Sequence, residues 1–306
     1  MTTEKKSHLS DLQTNRVHDL YLWFKEGLTI PCDQNERNAI TNEVFFRLLD
    51  ISPEQRIINH ERRLPESGIM KLSKALDRLN GGEPVQYITG VTDFLDQAIH
   101  VKPGVLIPRP ETEELAIWLQ QHIRERAGDP PVPMRILDVG TGSGCIAIAL
   151  AAGLPDHEVL ACDMDEKILQ VAKHNAKINN QNIGFFQCDI VDDSKHSKIL
   201  SSSLDVVVSN PPYVRESEKT AMKDHILFYE PGKALFVPDH DPLLYYRAIT
   251  KQSWQWLKPG GWIFYEINEA MGQSLHEMMN DLGFQEIRIK QDIHDKDRFL
   301  CARKPI

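Results

Sequence analysis

Apolar residues recur at helical spacing in three early stretches of the chain. Val17, Leu20, Tyr21, Phe24 and Leu28 form one stripe, Ile40, Val44 and Leu48 a second, and Ile69, Leu72, Leu76 and Leu79 a third. Positions three and four residues apart share a helix face, so each stretch predicts an amphipathic helix. Asp33 with Glu36 has the form of a capping box, and Ser52-Pro53 places a cap and a first-turn proline before a shorter helix through Ile57 and Ile58. Gly81-Gly82-Glu83-Pro84 stops the helical pattern. Residues 1–82 therefore read as a small helical bundle. Short β-type runs follow at Tyr87 to Gly90, Phe94-Leu95, Ile99 to Val101 and Val105 to Ile107, separated by Gly and Pro, and residues 83–108 read as a connecting β-hairpin.

The pattern changes again after Pro108-Arg109-Pro110-Glu111-Thr112-Glu113-Glu114, a stiff turn into a helix carrying Leu115, Trp118 and Leu119. Acidic residues there suit the positive end of the helix dipole, and Arg109 and Glu111 are also placed to line a site. Beyond a Pro-rich loop from Gly128 to Pro133, strand and helix patterns alternate. Strands are expected at 135–139, 158–161, 183–188, 204–208 and 262–267, and near 286–289 and 299–302; helices are expected at 146–152, 168–178, 242–257 and 273–282. Such alternation predicts an α/β domain over residues 109–306, with a mainly parallel sheet covered by helices on both faces.

Composition narrows the function classes. With 41% hydrophobic and 26% charged residues, the 306-residue chain has the make-up of an ordinary globular protein. Its net charge of -9 argues against stable nonspecific nucleic-acid binding, which needs Lys and Arg to neutralise phosphates. Met1 to Asp11 lacks the apolar core of a targeting segment, and no apolar stretch has membrane-spanning length. A soluble, cytoplasmic, monomeric protein is expected. The five cysteines, Cys32, Cys145, Cys162, Cys188 and Cys301, show no C-x-x-C spacing and read as reduced, mostly buried thiols. No metal is expected: Asp239-His240-Asp241 lies between prolines as an exposed turn would, and the acidic run Asp292 to Asp297 reads the same way.

In an open parallel sheet, ligands bind at the carboxyl ends of the strands. The first expected strand ends in Asp138-Val139-Gly140-Thr141-Gly142-Ser143-Gly144, where glycines let the backbone approach a ligand at a helix start. Its G-x-G-x-G spacing matches the dinucleotide fingerprint G-x-G-x-x-G poorly. The second strand ends at Asp163, a carboxylate able to accept from both hydroxyls of a ribose, and the third at Asp189-Ile190, an acid and an apolar face suited to adenine. The fourth ends in Ser209-Asn210-Pro211-Pro212-Tyr213. Two prolines remove two donors and fix two φ angles, leaving an amide head, outward carbonyls and an aromatic ring as a clamp for something planar and polar. In this order the strand ends suit an S-adenosyl-L-methionine methyltransferase acting on a planar nitrogen.

The chain resembles the release-factor N5-glutamine methyltransferases, the PrmC/HemK family, from the helical domain to the last strand. The most specific segments are Gln86 to Gly90, Leu106 to Glu113, Ile136 to Gly144 and Ser209 to Tyr213, with Tyr229-Glu230-Pro231, Ala234-Leu235-Phe236 and Leu257 to Gly261 in support. Two segments depart from the family: Val237 to Pro242 is rich in Pro and Asp, and Asp295 stands where glycine is common. The resemblance implies a class I S-adenosyl-L-methionine-dependent, Rossmann-like fold with a seven-stranded sheet. It also implies methylation of the glutamine in the Gly-Gly-Gln motif of class 1 peptide chain release factors, with the helical domain as docking surface. The cofactor-binding set is then Asp138, Gly140, Thr141, Gly142, Ser143, Gly144, Asp163, Asp189, Ile190 and Asn210. Asn210, Pro211 and Tyr213 form the catalytic set, joined for substrate binding by Pro212, Arg109 and Glu111. A nucleic-acid adenine N6-methyltransferase is the alternative, because the exocyclic amino group of an adenine presents the same two N–H donors to the clamp, but that activity calls for a basic recognition region. A non-catalytic binding protein for release factors or ribosomes is the alternative of another class.

Overall fold

A computed structural model describes residues 14–126, 132–192, 201–222 and 224–306. The segment Met1 to Asp11 and the loop residues 128–131 lie outside the described residues. The chain divides into two compact units, one formed by residues 1–91 with 223–229, the other by 92–222 with 230–306.

The first unit contains α1 (Val17–Gly27), α2 (Gln34–Leu49), α3 (Pro53–Ile58), α4 (Glu66–Asn80) and α5 (Val85–Thr89). Its core joins Val17, Leu20, Phe24, Phe45, Leu72 and Leu76, with Phe24 set edge-on to Phe45 at 6.1 Å between ring centres. On α2 the buried face is Thr41, Val44 and Phe45, one position round from the predicted Ile40, Val44 and Leu48 stripe; Ile40 and Leu48 are partly buried at its border. Asp33 caps α2 by accepting from the Asn35 and Glu36 amides. The reciprocal capping box is made at Ser52, where Gln55 donates its amide to the hydroxyl and accepts from the Ser52 amide.

Tyr87 to Gly90 corrects the sequence expectation. This run is α5, not a strand: Pro84 precedes its first turn, the Thr89 hydroxyl donates to the Val85 carbonyl, and Gly90 ends it at φ 79°. The β-branched residues suggest a strand, but placing Ile88 in the helical core outweighs that weak local preference.

The second unit begins at Thr92, the second residue of β1 (Val91–Phe94), which forms a hairpin with β2 (Gln97–His100), then runs α6 (Pro110–Arg126), β3 (Arg135–Val139), α7 (Cys145–Gly153), β4 (Glu158–Asp163), α8 (Glu166–Ile178), β5 (Gly184–Gln187), β6 (Leu204–Ser209) and β7 (Val214–Arg215). After α9 (Asp224–Tyr229), which belongs to the first unit, come α10 (Gly232–Leu235), β8 (Phe236–Val237), α11 (Leu244–Trp256), β9 (Leu257–Glu266), α12 (Gly272–Asp281), β10 (Gln285–Gln291) and β11 (Asp297–Arg303). The seven-stranded sheet has the order β10-β11-β9-β6-β3-β4-β5. The pairs from β9 through β5 are parallel, and β11 pairs antiparallel with both β9 and β10. Burial on both faces explains why Val206, Val207 and Val208, or Ile263 and Phe264, read as continuous apolar runs.

The hairpin is part of this second unit. Asn175 on α8 accepts from the His100 amide and donates to its carbonyl, and Asn179 does the same for Ala98. Val105 to Ile107 forms no strand, because Pro103 and Pro108 lack donors, Gly104 turns at φ 95°, and the Ile107 amide is taken by the Glu230 carboxylate at 3.3 Å. The strand order changes direction between the paired neighbours β3 and β6, so the segments that leave their carboxyl ends diverge and open a crevice there.

Phe24→Ala removes a ring from the centre of the first unit's core, and a loss of about 3–5 kcal/mol is expected. Denaturant unfolding followed by far-UV circular dichroism should show the midpoint fall; an unchanged midpoint would contradict this core assignment.

Candidate active site

The glycine loop after β3 is held by bonds to the end of β4 and by one turn bond of its own, from the Gly144 amide to the Thr141 carbonyl at 2.8 Å. The Gly140 and Thr141 amides both donate to the Cys162 carbonyl at 2.9 Å, and the Gly142 amide donates to the Asp163 Oδ2 at 3.0 Å. Gly140 adopts φ 71° and Gly142 φ 54°, and a side chain at Gly140 would project into open space. Those two glycines keep the loop low and its ligand-facing side clear. Gly144 serves packing instead. At φ 86° it lets α7 approach α8, where an added Cβ would stand 3.1 Å from the Cβ of Ala172.

A cavity of about 340 Å³ opens above this loop. It is lined by Gly140, Thr141, Gly142 and Ser143 from β3, Asp163 from β4, Asp189 and Ile190 from β5, and Asn210, Pro211 and Pro212 from β6, with Arg109 at its rim. Most of the residues selected from sequence are thus brought together. Four are not in its wall: Asp138, Gly144, Tyr213 and Glu111.

Asp138 is fully buried behind the loop, where its Oδ2 accepts from the Thr141 hydroxyl at 2.6 Å and its Oδ1 has no hydrogen-bond partner among the described residues. Burial pushes this carboxyl up to about 7, with the Thr141 bond opposing. Asp163 is also raised by burial, against backbone bonds from Asp165 and Gly142, each of which occupies one carboxylate oxygen and leaves further lone pairs.

Tyr213 turns inward instead of lying over the cavity. Its hydroxyl donates to the Glu266 Oε1 at 2.9 Å, and burial, reinforced by the Glu266 charge, raises its pKa well above the ordinary phenol value. The Glu266 Oε2 accepts from the Thr112 hydroxyl at 2.7 Å, and Thr112 Oγ1 in turn accepts from the Asn210 Nδ2 at 3.1 Å. Thr112 and Glu266 are both buried, and burial raises Glu266 while its two hydroxyl partners and Arg298 oppose that rise. Arg109 donates to the Glu230 Oε1 at 2.6 Å, so one cation of the rim is committed to a buried partner. Glu111 is half-buried, and its negative charge bears on Glu266 and Tyr213.

Sequence reasoning passes over the roles of Thr112, Glu230 and Glu266. Thr112 and Glu230 sit inside segments that carry the family resemblance, but Glu266 ends an apolar strand 154 residues from Thr112, with no local signal. The two acidic clusters are engaged by protein: Asp239 with Ser217, Asp241 with Arg247, and Asp292 with Arg298. Among the described residues there is no group of three or more His, Cys, Asp or Glu able to hold a metal ion, and no helix is long and apolar enough to cross a membrane.

Residues 118–236 match the methyltransferase small domain, and residues 36–90 match the PrmC N-terminal domain. The release factor glutamine methyltransferase of Bacteroides thetaiotaomicron is 42% identical over 76% of this chain and 81% of its own length. That of Flavobacterium psychrophilum is 38% identical over 90% of this chain and 95% of its own. The chain belongs to the release factor glutamine methyltransferase family. A third member, from Lactococcus lactis subsp. lactis, is 36% identical over 92% of this chain and its whole length. The seven-stranded sheet is accordingly that of a class I methyltransferase.

Asp138 should make stability depend on pH. Its folded value of about 7 lies above the ordinary carboxylate value of 3.8, so its stabilising contribution is complete below about 4 and lost as pH rises through about 7. Asp138→Asn keeps an acceptor for Thr141 and removes the titration. Wild-type stability relative to this variant is expected to fall between pH 4 and 8 by up to about 4 kcal/mol. Parallel pH dependences in denaturant titrations would refute it.

Proposed function

We propose that this protein transfers a methyl group from S-adenosyl-L-methionine to the side-chain amide nitrogen of the glutamine in the Gly-Gly-Gln motif of class 1 peptide chain release factors. The observation that carries this reading is one cavity with a glycine loop and a ribose-type acid on one wall, and Asn210 with Pro211 on another. Relatives named for this activity support the substrate.

The residues fit the methyl donor. Asp163 retains acceptor capacity for two ribose hydroxyls, Asp189 and Ile190 offer an acid and an apolar contact for adenine, and Gly140 to Ser143 offer a backbone surface clear of side chains at Gly140. When bound, S-adenosyl-L-methionine supplies an electrophilic methyl group on a sulfonium. Asp138 and Gly144 serve the donor indirectly, by bracing Thr141 and by docking α7 on α8.

A glutamine amide nitrogen is a weak nucleophile because its lone pair is delocalised into the carbonyl. Asn210 Oδ1 and the Pro211 carbonyl would each accept one N–H, fixing the amide plane and increasing electron density on nitrogen. Neither is a strong base, so the protein works mainly by position, an effect worth roughly 7 to 11 kcal/mol of barrier when orientation is good. Pro212 stiffens this wall, and Tyr213 anchors it from behind through Glu266. Arg109, held by Glu230, borders the entrance. The helical unit is the proposed docking surface, supported by Ile57 and Ile58 on α3, which are 68% and 75% exposed.

Labelled S-adenosyl-L-methionine with a purified release factor should give methylated factor, and replacing the Gln of its Gly-Gly-Gln motif should abolish labelling. Transfer to an oligonucleotide and not to the release factor would reverse the substrate assignment. Asn210→Ala is expected to reduce single-turnover transfer by about 100-fold or more while weakening donor binding far less; lost donor affinity with near-normal transfer would refute the clamp. Asp163→Ala should weaken donor binding by about tenfold or more in calorimetry, and an unchanged dissociation constant would reject the ribose role.

A further inference from the structure

We infer that Thr112 and Glu266 are positioning residues that set which end of the Asn210 amide faces the cavity, and so make the site select an N–H donor, a glutamine amide, over a carboxylate. This inference deepens the glutamine methyltransferase reading and rests on it.

The location of each proton fixes the orientation. Glu266 accepts a hydroxyl on each oxygen, Tyr213 at Oε1 and Thr112 at Oε2, which suits an ionised carboxylate with no proton to give. A threonine hydroxyl has one proton. Because that proton is committed to Glu266, Thr112 can only accept from Asn210, and it does so from Nδ2 at 3.1 Å. A side-chain amide has donors at one end and an acceptor at the other. Pinning Nδ2 on Thr112 therefore leaves Oδ1 as the end offered to a ligand.

Reversing the relay reverses the selection. With a glutamine at 266, the side-chain oxygen still accepts from Tyr213, while its NH2 donates to Thr112. The Thr112 proton is then free to turn to the Asn210 oxygen, and Asn210 offers its NH2 to the cavity. Such a site has one acceptor fewer for a glutamine amide and one donor more for a glutamate carboxylate. Thr112 is also close to the size of valine, so Thr112→Val removes the pinning hydroxyl with little change in volume, and Thr112→Ser keeps it.

The test uses the full-length protein with purified release factor carrying either Gly-Gly-Gln or Gly-Gly-Glu. Thr112→Val and Glu266→Gln are expected to lower kcat by about 10- to 100-fold, with KM for the release factor and donor affinity within about threefold of wild type. Thr112→Ser should recover most of the turnover. The Gly-Gly-Glu factor should inhibit Glu266→Gln about fivefold more strongly than wild type. Donor calorimetry and thermal melting identify folded variants, and if Glu266→Gln fails to fold, the Thr112 pair decides. Undiminished kcat in Thr112→Val, or a serine variant as impaired as the valine one, overturns the inference, as does unaltered inhibition by the Gly-Gly-Glu factor in folded Glu266→Gln. A wild-type protein that methylates no release factor overturns the functional reading itself and the inference with it.

Discussion

The buried Glu266 carboxylate is the constraint on which the Asn210 wall of the cavity depends. Taking an ionised carboxylate out of water costs several kcal/mol unless hydrogen bonds replace the lost hydration. Here the replacements come from two other parts of the chain: Thr112 in the first turn of α6, and Tyr213 just beyond β6. Satisfying one charge at the end of β9 therefore draws α6 and the segment after β6 to a common point. Asn210 joins the same chain of bonds, and its amide inherits an orientation from a carboxylate it does not touch.

The opposite wall is built by similar economy. Asp163 accepts the Gly142 amide and the Asp165 amide, which settles the glycine loop and the start of α8 while keeping lone pairs toward the cavity. The Cys162 carbonyl takes two further loop amides. At the rim, the Glu230 carboxylate receives both the Arg109 guanidinium and the Ile107 amide, tying together two segments that carry no regular pairing of their own. The loops are thus ordered by polar bonds to distant residues, with the parallel sheet serving as the rigid frame.

Local chemistry makes much of this legible. Alternating apolar runs mark the sheet, because strands covered on both faces must be apolar throughout. Glycines at 140 and 142 and the two prolines at 211 and 212 have backbone properties that no neighbour needs to confer. Asp295, where the family commonly has glycine, indeed adopts φ 59°, a conformation Asp tolerates better than most residues. Tyr87 to Gly90 reads locally as a strand, yet the β-branched Ile88 and Thr89 weigh little against burial of Ile88 in the helical core. The turn after β6 suggests Tyr213 over the substrate amide; its hydroxyl instead points to Glu266, since a buried phenol needs an acceptor.

By itself, then, the sequence determined the two kinds of architecture, the strand-end positions of the glycine loop, Asp163, Asp189 and Asn210, and the stiffness of the Asn-Pro-Pro turn. These follow from periodicity and from backbone rules that act over a few residues. Only the tertiary structure decided that Asp138 and Gly144 stand behind the cavity, that Tyr213 faces away from it, and that Thr112 and Glu266 link across 154 positions of sequence. The physical reason is that a hydrogen bond is specified by two groups meeting at a distance and an angle, and for residues this far apart in the chain only the folded sheet brings them to that geometry.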